Sequence, residues 1–477
     1  MNIEKEVADN LKKTGLHKVK PTLVGVSGGA DSLALLQIMY HLGYHVTAVY
    51  VDHGLRDTSG KDGDHVAAFC RKQQIPFRRE KIDALAYAKA AKKTVEEASR
   101  ELRYACLFEI AGEIDAGAVA VAHHADDQVE TVLMHLLRGA GMSGLRGMQL
   151  ITNRHEWKSD IPLIRPLITI WKEEIQRYCE SSNIEAVIDE SNFDTTYFRN
   201  RLRHELIPDL QTYSPGVKQH LLTMSTLLQD DYAALEEMVH DALLRVEIIF
   251  SDMQVVFKRA PFLTYSRAIQ RMMLRKAIDG LCPALRDVNA IAIERCIDFL
   301  QRGNPTGQVD VTDHLVLFVD APHVVIKDGK TAYFREDLPL LGDGDRHEFS
   351  PGSVLPINPV WGFRADLIPV SDYQIVDRRQ QPWIAALDAE RCNQPLFMQS
   401  VRQGDWFLPE GLQGHVQKLS DILINQKISR YLRDRFPLIR NEQEVIWVPG
   451  YRVHEHMQVT VQTKQVLLLR FFKLKDN

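Results

Sequence analysis

Cysteine is scarce and scattered. Cys70, Cys106, Cys179, Cys282, Cys296 and Cys392 include no C-x-x-C pair. That argues against a zinc ribbon, an iron–sulfur site and a disulfide framework, and fits a reducing cytoplasm. Long apolar runs are missing too. With no stretch of about 18 apolar residues, no membrane span is expected. The opening MNIEKEVADNLKK is charged and amphipathic, without an apolar signal core. There is no internal repeat and no low-complexity segment. A basic excess is also lacking, since the net charge is −5. That argues weakly against a nucleic-acid partner, because local patches rather than totals decide binding. What remains is a globular composition, 45% hydrophobic and 25% charged over 477 residues, long enough for two to four domains.

The chain is organised around Thr22 to Leu36, TLVGVSGGADSLALL. Leu23, Val24 and Val26 suit a buried parallel strand. Leu33, Leu35, Leu36, Ile38 and Met39 carry a helix. Between them lies Ser27-Gly28-Gly29-Ala30-Asp31-Ser32, where glycines let backbone N–H groups approach a ligand at a helix N-terminus. This is no Walker A loop, because no lysine follows the glycines. The plain alternative is a glycine-rich turn. A second strand, His45 to Val51, ends in Asp52-His53-Gly54-Leu55-Arg56, and ligands of open α/β sheets sit beyond such strand ends. Val95 to Ile110 reads as a helix bearing Arg100 and Arg103. Ala118 to Ala122 is a short strand running into His123-His124-Ala125-Asp126-Asp127-Gln128-Val129-Glu130-Thr131. A helix from Ala125 puts Asp127, Glu130 and Thr131 on one face. Dipole pairing in a first turn is the bland account of these acids.

Leu137 to Met148 holds four glycines and reads as a flexible loop, with Arg138 and Arg146 available to phosphate. Arg199, Arg201 and Arg203 recur at spacing two, either a solvated face or a contact for nucleic-acid phosphate. Gln211 to Leu300 reads as helical, with Arg267, Arg271, Arg275 and Lys276 on one stripe. Val309 to Lys327 reads as a hairpin. Gly342 to Pro395, with Pro351, Pro356, Pro359 and Pro369, is broken by turns and short strands and reads as the connection into a last domain. Between Arg402 and Arg440 seven basic residues, among them Lys418, Arg430 and Arg433, face four acidic ones. This local excess favours an RNA or DNA contact.

SGGADS resembles the PP-loop of the N-type ATP pyrophosphatases. With VDHGLR, EASRELRY, AHHADDQVET, LRGAGMSGLRGM, RPL, DESN and RNRLRHELIP in that order, the chain resembles the tRNA(Ile)-lysidine synthetases. RQGDWFLPEG, QKLSDILINQKIS, FPLI and WVPGYRV resemble that family's last domain. Strands alternating with helices up to Pro208 read as a doubly wound parallel sheet, so the expected fold is α/β: a doubly wound parallel-sheet PP-loop domain, a mainly helical domain and a small α+β C-terminal domain. The boundaries expected are a catalytic domain at 1–208, a helical tRNA-binding domain at 209–340, a connection at 341–395 and a tRNA-binding domain at 396–477.

The resemblance also implies a reaction. ATP adenylates oxygen 2 of the wobble cytidine in a CAU anticodon, and free L-lysine then attacks carbon 2, giving lysidine, AMP and pyrophosphate. Ser27 to Ser32 would hold phosphate, with Asp31 on Mg²⁺. Asp52, His53 and Arg100 would lie at the nucleotide, and Arg103 would neutralise α-phosphate charge. Asp127 and Glu130 would bind the lysine cation. A carboxylate or His123 would take the amine's proton, or His123 would cap the nucleotide; the sequence leaves this open. Arg138, Arg199, Arg201, Arg203, Arg271, Arg275, Lys418, Arg430 and Arg433 are the candidates for tRNA(Ile). Homodimerisation stays open. The rival readings are a PP-loop tRNA thiolase, a small-molecule amide synthetase and an ATP-gated RNA-binding protein.

Overall fold

The computed structural model describes residues 3–54, 59–153, 160–187, 198–251, 253–282, 289–303, 307–374, 380–392, 395–402 and 404–474. Expectations resting on Leu55, Arg56 and Asp189 to Asn192 lie outside the described residues. The chain divides into two units, 1–241 and 242–477.

The first unit carries α1 (Ile3–Lys13), β1 (Thr22–Gly25), α2 (Ala30–His41), β2 (Val46–Asp52), α3 (Ser59–Gln73), β3 (Phe77–Lys81), α4 (Ala84–Ala91), α5 (Val95–Glu113) and β4 (Ala118–Ala120). After these come α6 (Ala125–Leu137), α7 (Met142–Leu145), β5 (Ile151–Thr152), β6 (Leu163–Ile164), α8 (Lys172–Ser181), α9 (Phe198–Arg201), α10 (Ile207–Tyr213) and α11 (Val217–Arg245), of which all but the last turn falls in this unit. The sheet order is β3-β2-β1-β4-β6-β5, parallel except for β5. Neighbouring strand residues point to opposite faces. Val24, Ala48 and Tyr50 pack with α1, α2, α3 and α8 on one side. Leu23, Val49 and Val51 pack with Tyr104, Leu107 and Phe108 of α5 on the other. The doubly wound sheet is as expected, and its direction of winding reverses between β1 and β4. Their carboxyl ends therefore frame a crevice, the ligand position of such sheets.

The second unit departs from the sequence expectation. Its helices, including Arg267–Leu281 and Ala290–Gln301, accompany a five-stranded antiparallel sheet that Gln254–Lys258 enters. The expected hairpin is there, as Leu315–Asp320 paired with His323–Asp328. Residues 341–395 are not a bare connection. Arg346–Phe349 pairs with Leu396–Gln399, and Trp361–Pro369 pairs with Gln465–Lys473 along its whole length. Prolines are tolerated there because Pro356 and Pro369 fall at strand ends. No helix among the described residues is long and apolar enough to cross a membrane.

Candidate active site

The crevice is a cavity of about 400 Å³. Ser27, Gly29, Asp31 and Ser32 line it from the loop between β1 and α2, and His53, Arg103 and His123 from elsewhere. The loop is held from within. Ser32 Oγ accepts from the Ser27 N–H at 3.1 Å and donates to the Gly29 carbonyl at 2.9 Å. Gly28 sits at φ +88°, a conformation costly for any residue with a Cβ. Gly28→Ala is expected to lose about 1–2 kcal/mol of stability. Urea unfolding checks this; an unchanged midpoint would mean that the turn relaxes around the added Cβ.

Among the described residues, three buried side-chain atoms in the cavity's lining lack a hydrogen-bond partner: Asp31 Oδ1, His53 Nδ1 and Arg103 Nε. Buried polar atoms left unmatched point to a missing ligand. Burial, then the Arg103 charge, pushes the His53 pKa down against the pull of Asp52. Other expected nucleotide residues sit off the cavity. Asp52 accepts from the Gly54 N–H at 2.9 Å and faces Arg79 at 3.8 Å, so it shapes its own turn. Arg100 stacks on the Tyr104 ring, 5.1 Å from its centroid. Asp62, which does line the cavity, was missed, because a single acid in a helix's first turn carries no motif.

The second constellation starts α6. The His124 N–H donates to Asp127 Oδ2 at 3.1 Å, and Asp126 accepts from the Lys172 N–H at 2.9 Å and pairs with Lys218. Asp127 and Glu130 share a face, as the spacing predicts. Their partners were not foreseen. Arg199 donates to Glu130 Oε2 at 2.5 Å and to Asp127 Oδ1 at 2.9 Å, and Arg203 donates to Glu130 Oε1 at 2.6 Å. Glu130 is 1% exposed, and a buried carboxylate needs such partners. Burial would raise the Asp127 pKa, but His124 and Arg199 outweigh it and hold it below the usual carboxylate range. Arg199 and Arg203 are therefore engaged inside the protein rather than offered to phosphate. Over Leu202–Leu206 the backbone hydrogen bonds of the arginine-bearing helix reach one residue further, from i to i+5, a feature frequent at functional sites.

The glycine-rich segment 137–148 is tied down rather than loose. It forms α7, and the Gln128 carboxamide clasps its end, donating to the Met148 carbonyl at 3.0 Å and accepting from the Met148 N–H at 2.7 Å. Gln229 donates to the Arg146 carbonyl at 2.8 Å. Gly147 serves close approach, since a Cβ there would lie 2.6 Å from Gln128 Nε2. Arg146 stacks on Tyr232 at 3.9 Å, while Arg138 is exposed.

The remaining expected tRNA contacts divide by exposure. Arg201 is exposed beside Glu205. Arg271 pairs with Glu294, and Arg275 Nε is buried. Arg433 donates to the Ile428 carbonyl at 3.0 Å. Lys418 lies 5.4 Å from the ring of half-exposed Trp406, and Arg430 lies 4.6 Å from the Tyr431 ring; both cations stay exposed.

A phosphate loop of this sequence at the switch point of a parallel sheet defines an ATP-binding enzyme of the PP-loop class. The PP-loop domain family matches residues 1–210, and the TilS substrate C-terminal domain family matches residues 396–469. Similarity to full-length relatives runs through both. The tRNA(Ile)-lysidine synthase of Dehalococcoides mccartyi is 29% identical over 478 residues, covering 98% of this chain and 99% of the relative. That of Geobacillus kaustophilus is 30% identical over 440 residues, 90% of each chain. That of Geobacter sulfurreducens is 30% identical over 470 residues, 94% of this chain and 92% of the relative. The chain belongs to the tRNA(Ile)-lysidine synthase family, and it is an ATP-dependent ligase.

Proposed function

We propose that the protein joins free L-lysine to carbon 2 of the wobble cytidine of tRNA(Ile) bearing a CAU anticodon, in the cytoplasm, converting ATP to AMP and pyrophosphate. The observation that carries this reading is one cavity where a phosphate loop meets the unmatched Asp31 Oδ1 and Arg103 Nε. Backbone N–H groups of the loop and the start of α2 hold the β- and γ-phosphates. Arg103 stands ready for the charge that builds on the α-phosphate as oxygen 2 of the cytidine attacks and pyrophosphate leaves. Asp31 fits Mg²⁺, an ion that takes one or two carboxylates and completes its shell from phosphate and water. When bound, it would neutralise the polyphosphate.

The ε-amine of lysine, with a reference pKa of about 10.4, must lose a proton before attacking carbon 2 as AMP departs. Asp127 and Glu130 are the carboxylates for the lysine cation, and its arrival requires Arg199 or Arg203 to give up part of its hold. The target base must leave its stack to reach the crevice. Exposed Arg138, Arg201, Arg271, Lys418 and Arg430 are left as tRNA contacts. The thiols of the first unit do not support sulfur transfer. Burial first of all pushes Cys70, Cys106 and Cys179 each up to about 11, leaving little thiolate at neutral pH.

The test incubates the protein with ATP, Mg²⁺, radiolabelled lysine and unmodified tRNA(Ile) bearing CAU. Label is expected in the RNA, stable to mild alkali. AMP formed on adding tRNA without incorporated label would keep the activation step and overturn lysine as the nucleophile.

A further inference from the structure

Arg165 follows β6 and is 4% exposed. Its Nη1 donates to the Gln149 carbonyl and to Thr152 Oγ1, both at 2.8 Å. Its Nε donates to Nδ1 of His123 at 3.3 Å. A guanidinium has only donors and stays protonated in proteins. Nδ1 of His123 must therefore present a lone pair, and an imidazolium would aim an N–H at a cation. The charged groups acting on His123 are Asp127, which favours the cation, and Arg165, Arg100 and Arg103, which oppose it together with burial. His123 lines the cavity and Arg165 does not. The edge of the ring left for a ligand is the one carrying Nε2.

We propose that Arg165 is a positioning residue that fixes His123 as a neutral imidazole with its proton on Nε2, so that His123 donates a hydrogen bond to a phosphate oxygen of the nucleotide and does not act as the base for the lysine amine. The inference rests on the cavity being the nucleotide site. It uses the fixed-tautomer logic of histidines whose second nitrogen is held by a partner. Two short strands, β5 and β6, bring Thr152 and Arg165 together for it. It also divides labour: the amine's proton goes to a carboxylate, and the imidazole stays unchanged through both steps.

Nitrogen-15 NMR of the full chain labelled at histidine reads the tautomer directly. One ring, assigned by its disappearance in His123→Gln, is expected to show a protonated Nε2 and an unprotonated Nδ1, constant from about pH 6 to 8. In Arg165→Gln the same ring is expected to titrate or to mix tautomers. Kinetics give a second reading. Glutamine at 123 offers an amide N–H near the Nε2 position, so His123→Gln should keep kcat within about tenfold, whereas His123→Ala should lose about 10²-fold. Arg165→Gln should lower kcat about tenfold with the KM for lysine unchanged, and should cost nothing more in the His123→Ala background, as two residues acting through one contact do. A proton on Nδ1 in the wild type, or a His123→Gln enzyme as slow as His123→Ala, overturns the proposal. If Arg165→Gln fails to fold, the wild-type tautomer and the two His123 variants still decide it. Failure of the lysine-labelling assay with the tautomer as expected would strike the proposed reaction alone.

Discussion

Asp31→Ala is expected to lower pyrophosphate release from ATP by about 10³-fold or more, with thermal stability close to wild type. Both halves follow from the environment of the carboxylate. Oδ1 is buried with no hydrogen-bond partner among the described residues, and Oδ2 only faces His124 Nε2 at 3.8 Å. Removing the side chain thus breaks no close bond in the resting protein. It does remove the one loop carboxylate suited to a phosphate-bound cation. Asp31→Asn, which keeps the shape and loses the charge, should be nearly as slow. Pyrophosphate assays with and without tRNA, beside a melting curve, separate lost chemistry from lost fold. Normal pyrophosphate release by a folded Asp31→Ala protein would overturn the assignment of the loop.

The second large effect falls on stability as well as activity. Glu130→Gln leaves Arg199 and Arg203 facing a neutral amide, with Asp127 the remaining acid at 2.9 and 3.6 Å. Breaking a buried ion pair on one side costs about 3–5 kcal/mol. The two guanidiniums are a third and a quarter exposed, so water takes up part of the loss and about 2–3 kcal/mol is expected. For a unit of this size that corresponds to a fall in Tm of roughly 4–12 °C. If Glu130 also binds lysine, adenylation in the folded fraction should suffer less than lysine transfer, and the KM for lysine should rise. An unchanged KM with a lowered Tm would make Glu130 solely the anchor of the two arginines.

Both predictions concern residues that the sequence marked, but only the first environment was readable there. SGGADS and AHHADDQVET each follow an apolar strand, and two such motifs in one parallel sheet meet at the strand ends. The partners of the second motif were hidden by distance, since Arg199 and Arg203 lie 69 and 73 residues beyond Glu130. A signal existed: a spacing of four puts both arginines on one helix face, opposite in charge to the face of Asp127 and Glu130. The segment 137–148 differs from its sequence expectation for another reason. Glycine content speaks of backbone freedom, whereas the clasp by Gln128 and Gln229 is a side-chain event across the fold. Residues 341–395 looked irregular because the partner of Trp361–Pro369 arrives about a hundred residues later. Arg165 stands in the short R-P-L run that the resemblance includes, but nothing in that run names a partner, and its bond to His123 spans 42 residues.

That late partner has a bearing on how the protein comes into being. Gln465–Lys473 lies at the centre of its sheet, between Trp361–Pro369 and Ile384–Asp388. Until it is synthesised, two apolar strands wait with open edges, the condition that invites wrong pairing and aggregation. The parallel sheet of the first unit has all its strands by Ile164 and can assemble while translation continues. This sheet of the second unit must close in one late step, over contacts of long sequence separation that form slowly. Substitutions in Val466 to Phe471 should then appear first as poor yield of soluble protein during expression, before any loss of rate in the molecules that do fold.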